Sequence, residues 1–266
     1  MKIVNRNGLE LCMFENLEDT GLVSHCFTTR IGGVSDGVFE SLNVSYTRGD
    51  RKENVDENLK RLYVAMDFSQ DKTVSGHQVH KTEVLDVDYD CCGKSITGYD
   101  GYITDKPGIV LCTFHADCVP LFFLDPVKKV IALSHSGWRG TAGRIAEATI
   151  SKMNKLYGCS PEDILAAIGP SIGKCCFQID RPVVEEFYRK IEFSKEYIEE
   201  DKSADGYFKA DLWGINKRLM TEAGIIDKNI EVTDKCTMCS PDLFFSHRKM
   251  GEKRGSMAAF LSLKEF

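Results

Sequence analysis

The sequence predicts an α/β fold: a mixed-sheet layered sandwich with helices packed on the sheet faces. Three observations carry that expectation. Residues 108–114, 120–125 and 129–135 are short, nearly unbroken apolar runs, the pattern of strands covered on both faces. Other segments repeat apolar residues at helical spacing. The two kinds of segment do not alternate in a regular strand–helix–strand rhythm, which points to a mixed rather than an all-parallel sheet.

The first helix is expected over residues 53–66, where Val55, Leu59, Leu62, Tyr63 and Met66 share one face. The three apolar strands follow, the last two joined as a hairpin by the turn from Asp125 to Lys129. One long helix is expected over 141–157, with Gly158 as its C-terminal cap. Ser160-Pro161-Glu162-Asp163 reads as a capping signal that opens a single turn, because strand-like residues 164–168 come directly after it. Helices over 182–191 and 211–223 come next, the second with Leu212, Leu219, Met220 and Ala223 on one stripe and Gly224 ending it. Between them the charged residues 192–209 are expected to form a solvated excursion, and 256–263 the final strand. No repeat, low-complexity tract or linker divides the chain, so residues 1–266 are expected to fold as one domain.

Of the 266 residues, 42% are hydrophobic and 28% charged, an ordinary globular balance that disfavours a disordered or membrane chain. A net charge of −6 argues against a protein built to grip nucleic acid or anionic lipid. The N-terminal residues lack the apolar core of a signal peptide, and no segment reaches membrane-spanning length. A cytoplasmic protein with reduced thiols is therefore expected, its eleven cysteines serving as core packing, metal ligands or nucleophiles.

Three polar residues interrupt apolar strands at their ends: His80, Cys118 and His135. Imidazole nitrogen and thiolate sulfur both suit zinc, and three protein ligands leave a fourth position open. A buried, hydrogen-bonded histidine or a small core thiol accounts for the same residues without a metal. His77 and His115 stand close by and could replace either histidine, and spacing does not choose among them. Cys236-Thr-Met-Cys239 has the spacing of half a structural zinc site, with no second pair at a suitable distance, and lacks the other parts of a zinc deaminase signature. Residues 137–143 lead from a strand into a helix, where amides could receive an anion. Gly93-Lys94-Ser95 is not a phosphate loop, since Asp88 stands where a glycine is needed. Arg30, Arg139 and Arg248 lie in turns near the proposed site and could bind an anionic substrate group, and Asp117 is a candidate proton carrier.

GHQVH (76–80), DGYIT (100–104), ADCVPLFF (116–123), ALSHSGWRGTAGR (132–144), IGPSIGKCCFQI (168–179) and FFSHRKMGEKRG (244–255) resemble the multicopper polyphenol oxidoreductase (laccase)-like family, as does HCFTTRIGGVSDGVFESLN (25–43). The resemblance covers nearly the whole chain. It implies a mixed α/β sandwich acting as a single catalytic domain, and zinc held by His80, Cys118 and His135, which are then also the catalytic residues. It implies phosphorolysis of adenosine, inosine, guanosine and 5′-methylthioadenosine, together with deamination of adenosine. Arg30, Asn43, Asp117, Arg139 and Arg248 are the substrate-binding candidates within its blocks. The expected partners are purine nucleosides and inorganic phosphate, with no nucleic acid or membrane, in a monomer or homodimer. Two other readings compete. Cys118 could be a thiolate nucleophile with His135 as its base, in a cysteine hydrolase or amidase; bacterial relatives linked to peptidoglycan-precursor editing make amide cleavage its natural form. A non-catalytic zinc-binding module would instead close the site with a fourth ligand such as His77.

Overall fold

The computed structural model describes residues 1–265. The chain opens with a hairpin, β1 (Lys2–Arg6) and β2 (Leu9–Met13), turned at Asn7-Gly8, and continues through α1 (Glu15–Glu18) to β3 (Val23–Thr28). After a long loop come α2 (Lys52–Met66) and four short strands, β4 (Thr73–His77), β5 (Val84–Asp86), β6 (Ser95–Thr97) and β7 (Gly101–Thr104). The three apolar runs form β8 (Val110–His115), β9 (Val119–Asp125) and β10 (Val130–Ser136). Helices α3 (Trp138–Ala142) and α4 (Ile145–Tyr157) precede β11 (Leu165–Ile168) and β12 (Gln178–Asp180). The remainder is α5 (Arg181–Lys190), β13 (Ile198–Glu200), β14 (Tyr207–Ala210), α6 (Leu212–Glu222), β15 (Ile230–Val232), α7 (His247–Met250) and β16 (Met257–Leu263).

These strands build a seven-stranded sheet in the order β1-β2-β3-β16-β8-β4-β6 and a six-stranded sheet in the order β15-β11-β9-β10-β7-β5. Both are mixed: β8 pairs antiparallel with β16 but parallel with β4, and β11 pairs antiparallel with β9 but parallel with β15. Alternation along each strand explains how the layers form. Phe122, Leu124, Ile131 and Leu133 of the six-stranded sheet meet Phe27, Val74, Leu111, Ala259 and Leu261 of the seven-stranded one, so the two sheets stack face to face. Leu121, Phe123, Val130 and Ala132 point the other way, onto Ile145, Ile150 and Met153 of α4 and Ile215 and Leu219 of α6. On the far side, Val110, Cys112, Ala258 and Phe260 pack against Val55, Leu59, Leu62 and Met66 of α2. The result is a four-layer sandwich, helix–sheet–sheet–helix. The central strands read as continuous apolar runs because neither of their faces meets water.

Two expected elements are corrected. The helix expected over 141–157 is two helices, divided at Gly143 and Arg144, where Arg144 takes a left-handed φ of 67°. The break frees α3 to dock separately, through a buried knot in which the Ser136, Thr141 and Asn216 side chains hydrogen-bond one another at 2.8–3.1 Å. The stretch 192–209 is not a solvated excursion: after a 3₁₀ segment (Glu192–Tyr197), β13 and β14 join β12 in a three-stranded sheet. Ile198, Phe208 and Ala210 turn inward from it while charged residues such as Glu199 and Lys209 alternate with them, so high charge masked a half-buried strand pattern.

Phe123 sits opposite Ala132 on one neighbouring strand and Ala166 on the other, a large side chain filling the space two small ones leave. Phe123→Ala is expected to lower unfolding free energy by about 3–5 kcal/mol. Exposed Val127→Ala should stay within about 0.5 kcal/mol. Chemical denaturation of both variants checks the pair.

Candidate functional site

The sandwich brings three distant residues to one edge. Cys118 immediately precedes β9, and His135 lies near the end of β10, paired across from Pro120, so antiparallel pairing places both at the same end of the six-stranded sheet. His80 comes from the loop after β4 of the facing sheet and holds a left-handed φ of 59°. The ligand atoms of His80, Cys118 and His135 all lie within 4.8 Å of one another. His80 Nε2 is 4.0 Å from Cys118 Sγ, and the two imidazoles stand edge to face with centroids 4.8 Å apart. His135 is buried, Cys118 half-buried and His80 exposed, so the cluster opens toward solvent on the His80 side. Gly137, the residue after β10, allows this convergence: a Cβ there would lie 3.0 Å from the His80 ring and 3.1 Å from Cys118 Sγ.

A buried carboxylate organises the cluster. Asp100 Oδ1 accepts from the His80 amide at 2.9 Å, and its Oδ2 from the amides of Val79 and Lys81 at 3.2 and 2.8 Å. Its Oδ1 also meets His135 Nδ1 at 3.0 Å, which leaves Nε2 of that ring facing the cluster. Burial alone would push the Asp100 carboxyl up; the His135 ring and the amides outweigh it and hold it below its ordinary value. For Cys118, burial also acts upward, but the His135 and His80 rings reverse it and lower the thiol to about 6. Burial works against a charged His135, yet the Cys118 sulfur and the Asp100 carboxylate raise it to about 9. Without a metal the site favours a thiolate–imidazolium pair. His115 is not available to it: its Nδ1 bonds the Cys118 carbonyl at 3.0 Å and its Nε2 the Thr113 hydroxyl at 2.8 Å.

Beside the cluster lies a cavity of about 620 Å³, within the range of small-molecule sites. His80, Cys118 and His135 line it together with Tyr63, Phe114, Gln78, Arg48 and Arg254, and His77, Lys94 and Ser95 also face it. None of the five expected substrate-binding residues, Arg30, Asn43, Asp117, Arg139 and Arg248, lines this cavity. Arg30 donates to the carbonyls of Glu40 and Pro241 at 2.6 and 2.9 Å, and its guanidinium lies over Phe245. Arg139 stacks on Trp138, and Arg248 donates to the Gln178 carbonyl at 2.9 Å. Asp117 accepts from the Thr237 and Ser246 hydroxyls at 2.6 and 3.1 Å and from the Arg248 amide at 2.6 Å, so its carboxylate anchors the 237–248 segment behind Cys118. Asn43 accepts from the amides of Ser45 and Ser256 at 3.1 and 3.0 Å, fixing two residues of the cavity wall.

Asp100, Arg48 and Arg254 are the site residues that sequence reasoning did not single out. Arg254 is almost wholly buried, with Nη1 donating to the Gly255 carbonyl and Nε left without a partner. Burial, with the nearby Arg48 charge, lowers its guanidinium to about 10. One further correction concerns Cys236 and Cys239. A second cysteine pair does stand beside them, the adjacent Cys175 and Cys176, joined to them by folding rather than by sequence spacing.

Asp100→Asn keeps the shape of this side chain but removes the charge that orients His135 and the His80 loop. If the cluster holds zinc, its affinity is expected to fall roughly 10–100-fold, as where a carboxylate orients a metal-binding histidine. Chelator competition checks this, with circular dichroism confirming that the fold is retained.

Residues 24–264 match the family described as multi-copper polyphenol oxidoreductase laccase. The chain is 34% identical over 245 residues to purine nucleoside phosphorylase YlmD of Geobacillus stearothermophilus, covering 90% of this chain and 89% of that one. It is 36% identical over 248 residues to purine nucleoside phosphorylase LACC1 of Homo sapiens, covering 91% of this chain but spanning only 56% of that relative's length. Among solved structures, the hypothetical protein YfiH of Bacillus licheniformis superposes with a TM-score of 0.88 at 32% identity, over 98% of this chain and 99% of that one. YlmD from Geobacillus stearothermophilus gives the same TM-score at 31% identity, over 98% of each chain. With the match running through almost every element that builds the sandwich and its edge cluster, this chain belongs to the multi-copper polyphenol oxidoreductase laccase family.

Proposed function

We propose that the protein is a zinc-dependent purine nucleoside phosphorylase, one catalytic domain acting on adenosine, inosine, guanosine and 5′-methylthioadenosine, which also deaminates adenosine. The observation that carries this reading is one cavity lined by both the His80–Cys118–His135 cluster and the two arginines Arg48 and Arg254. The phosphorylase names of the relatives support it.

The donor set fits zinc. Two imidazoles and a thiolate form a familiar three-ligand set with an open position, and the Asp100–His135 pair is the carboxylate–histidine arrangement that orients a metal-binding ring. A centre of several copper ions calls for more imidazoles than this edge offers: of six histidines, His25 is buried in β3, and His115, although its ring lies 5.2 Å from that of His135, has both nitrogens bonded to Thr113 and Cys118. Bound by His80, Cys118 and His135, zinc would supply Lewis acidity at the cavity wall.

Phosphorolysis builds positive charge on the ribose and negative charge on the departing base, and phosphate must be held while it attacks the sugar. Arg254 and Arg48 both line the cavity, two cations that together would hold the oxygens of a phosphate. The hydroxyls of Ser45, Thr47 and Ser256 stand on the same wall, and Asn43 fixes the backbone of Ser45 and Ser256. Tyr63, Phe114 and Leu59 offer the apolar surface that a purine ring needs.

A second reading draws on the lowered Cys118 thiol and raised His135 ring. With Asp100 behind His135, the three residues also have the order of a nucleophile, a base and an orienting acid, which suits a cysteine hydrolase or amidase.

Phosphate dependence decides between the readings. On the phosphorylase reading, inosine gives hypoxanthine and ribose 1-phosphate only when phosphate is supplied, adenosine gives inosine without it, and a zinc chelator suppresses both. A covalent acyl adduct on Cys118 seen by mass spectrometry, with chelator-resistant activity and no phosphate-dependent base release, would establish the hydrolase instead. Arg254→Ala removes a charged donor worth about 1.5–3 kcal/mol, so the KM for phosphate is expected to rise roughly 10–100-fold. Phosphate-independent deamination should remain near the unaltered rate. Steady-state kinetics with separate phosphate and nucleoside titrations measures both.

A further inference from the structure

Apart from the edge cluster, four cysteines gather where two loops meet. Cys175 and Cys176 lie between β11 and β12, and Cys236 and Cys239 follow β15. Their four sulfurs lie within 4.8 Å of one another, with Cys239 Sγ 3.5 Å from Cys175 Sγ and 3.3 Å from Cys176 Sγ. We propose that these residues bind a structural zinc ion, distinct from the one assigned to His80, Cys118 and His135.

The spacing is that of a shared ion. Zinc–thiolate bonds of about 2.3 Å in a tetrahedron place neighbouring sulfurs about 3.8 Å apart, a separation that lies between the observed close contacts and the outer limit of the cluster. A disulfide would bring one pair to about 2.05 Å. It would also have to select one partner for Cys239, which stands nearly equidistant from two, and would leave the other two thiols crowded beside it. Four thiolates fill a tetrahedron and leave no position for substrate, the mark of a structural rather than a catalytic site. The Gly173 amide donates to Cys236 Sγ at 3.2 Å, a bond that steadies negative charge on sulfur. Cys175 and Cys239 are exposed, which gives an ion a path in.

The location gives the ion a task. Ser171 and Cys236 form a parallel bridge, and the Thr237 amide donates to the Ser171 carbonyl at 3.0 Å. The next residue, Ile172, donates to the Asp117 carbonyl at 2.9 Å, while the Thr237 hydroxyl donates to the Asp117 carboxylate. Both loops therefore hold the residue that precedes Cys118. Zinc joining Cys175 and Cys176 to Cys236 and Cys239 would lock the loops together and so steady the backbone from which Cys118 projects.

Metal counting on the purified full chain, expressed with zinc, tests the assignment by native mass spectrometry and elemental analysis. Two zinc ions per chain are expected, falling to one in the His80→Ala/Cys118→Ser/His135→Ala variant and to one in Cys236→Ser/Cys239→Ser. The edge variant keeps the four cysteines intact, so it decides the matter even if the double cysteine variant fails to fold. In it, Cys175, Cys176, Cys236 and Cys239 should resist alkylation until a chelator strips the ion, and cobalt should give strong thiolate-to-metal absorption. An edge variant that binds no zinc, with those four thiols freely alkylated or two of them lost to a disulfide, overturns the proposal. Failure of the phosphorylase reading would show instead as missing phosphate-dependent base release, with the second zinc still in place.

Discussion

Asp100 accepts hydrogen bonds from the amides of Val79, His80 and Lys81 and from the ring of His135, all at a wholly buried carboxylate. A buried charge is tolerated only when its acceptor positions are filled, so this one residue demands both a particular loop path and a particular imidazole orientation. The loop path is costly, since it places His80 in the left-handed region that side chains with a Cβ avoid. Three amide bonds to a charged acceptor offset that cost. The cluster is thereby assembled before any ligand arrives, from one residue of the seven-stranded sheet's loop and two from the six-stranded sheet.

The four-layer sandwich makes such a site possible. Its central strands carry mostly apolar side chains on both faces, interrupted inside by small hydroxyls such as Thr113 and Ser134, and the groups that line the cavity gather at strand ends, where the stacked sheets part. Cys118, His135 and His115 all occupy such ends. Their fates divide by hydrogen bonding. His115 satisfies both ring nitrogens within the protein, whereas His135 spends one on Asp100 and keeps the other for the cavity. The same division separates the arginines. Carbonyl acceptors and aromatic faces take up Arg30 and Arg248, while Arg254 lines the cavity and is buried with its Nε unpartnered.

What was legible in the sequence follows from this architecture. Strands β8 to β10 announced themselves because burial on two faces leaves no polar alternation to confuse with loop, and α2 because only one of its faces is apolar. The stretch 192–209 hid its strands behind charges on the solvent side. The hairpin at Asn7-Gly8 carried a turn signal of the right kind, but its first strand, Lys2–Arg6, is too polar and exposed to stand out. His80, Cys118 and His135 could be nominated from their places at strand ends, but spacing alone did not separate His80 from His77 or His135 from His115. That choice rests on Asp100, which in sequence is one more acid beside a tyrosine and a glycine. Arg48 and Arg254 were invisible for a similar reason: they are far apart in the chain, and their value arises from sharing a cavity.

The cysteines show the same limit from the other side. Cys236-x-x-Cys239 reads as half a metal site because a local turn can close on an ion, and a search along the chain for an equally local second half finds none. The second half is a vicinal pair, a spacing unsuited to closing a loop on its own, and it becomes a partner only because β11 and β15 run parallel and deliver their following loops to the same end of the sheet. Parallel neighbours place like ends together, so residues after each strand meet although more than fifty positions separate them in the chain. The same pairing brings Thr237 within reach of Asp117, next to Cys118. The cysteine cluster and the edge cluster are thus two consequences of one strand order, with the short segment between Ser171 and Cys176 as the link between them.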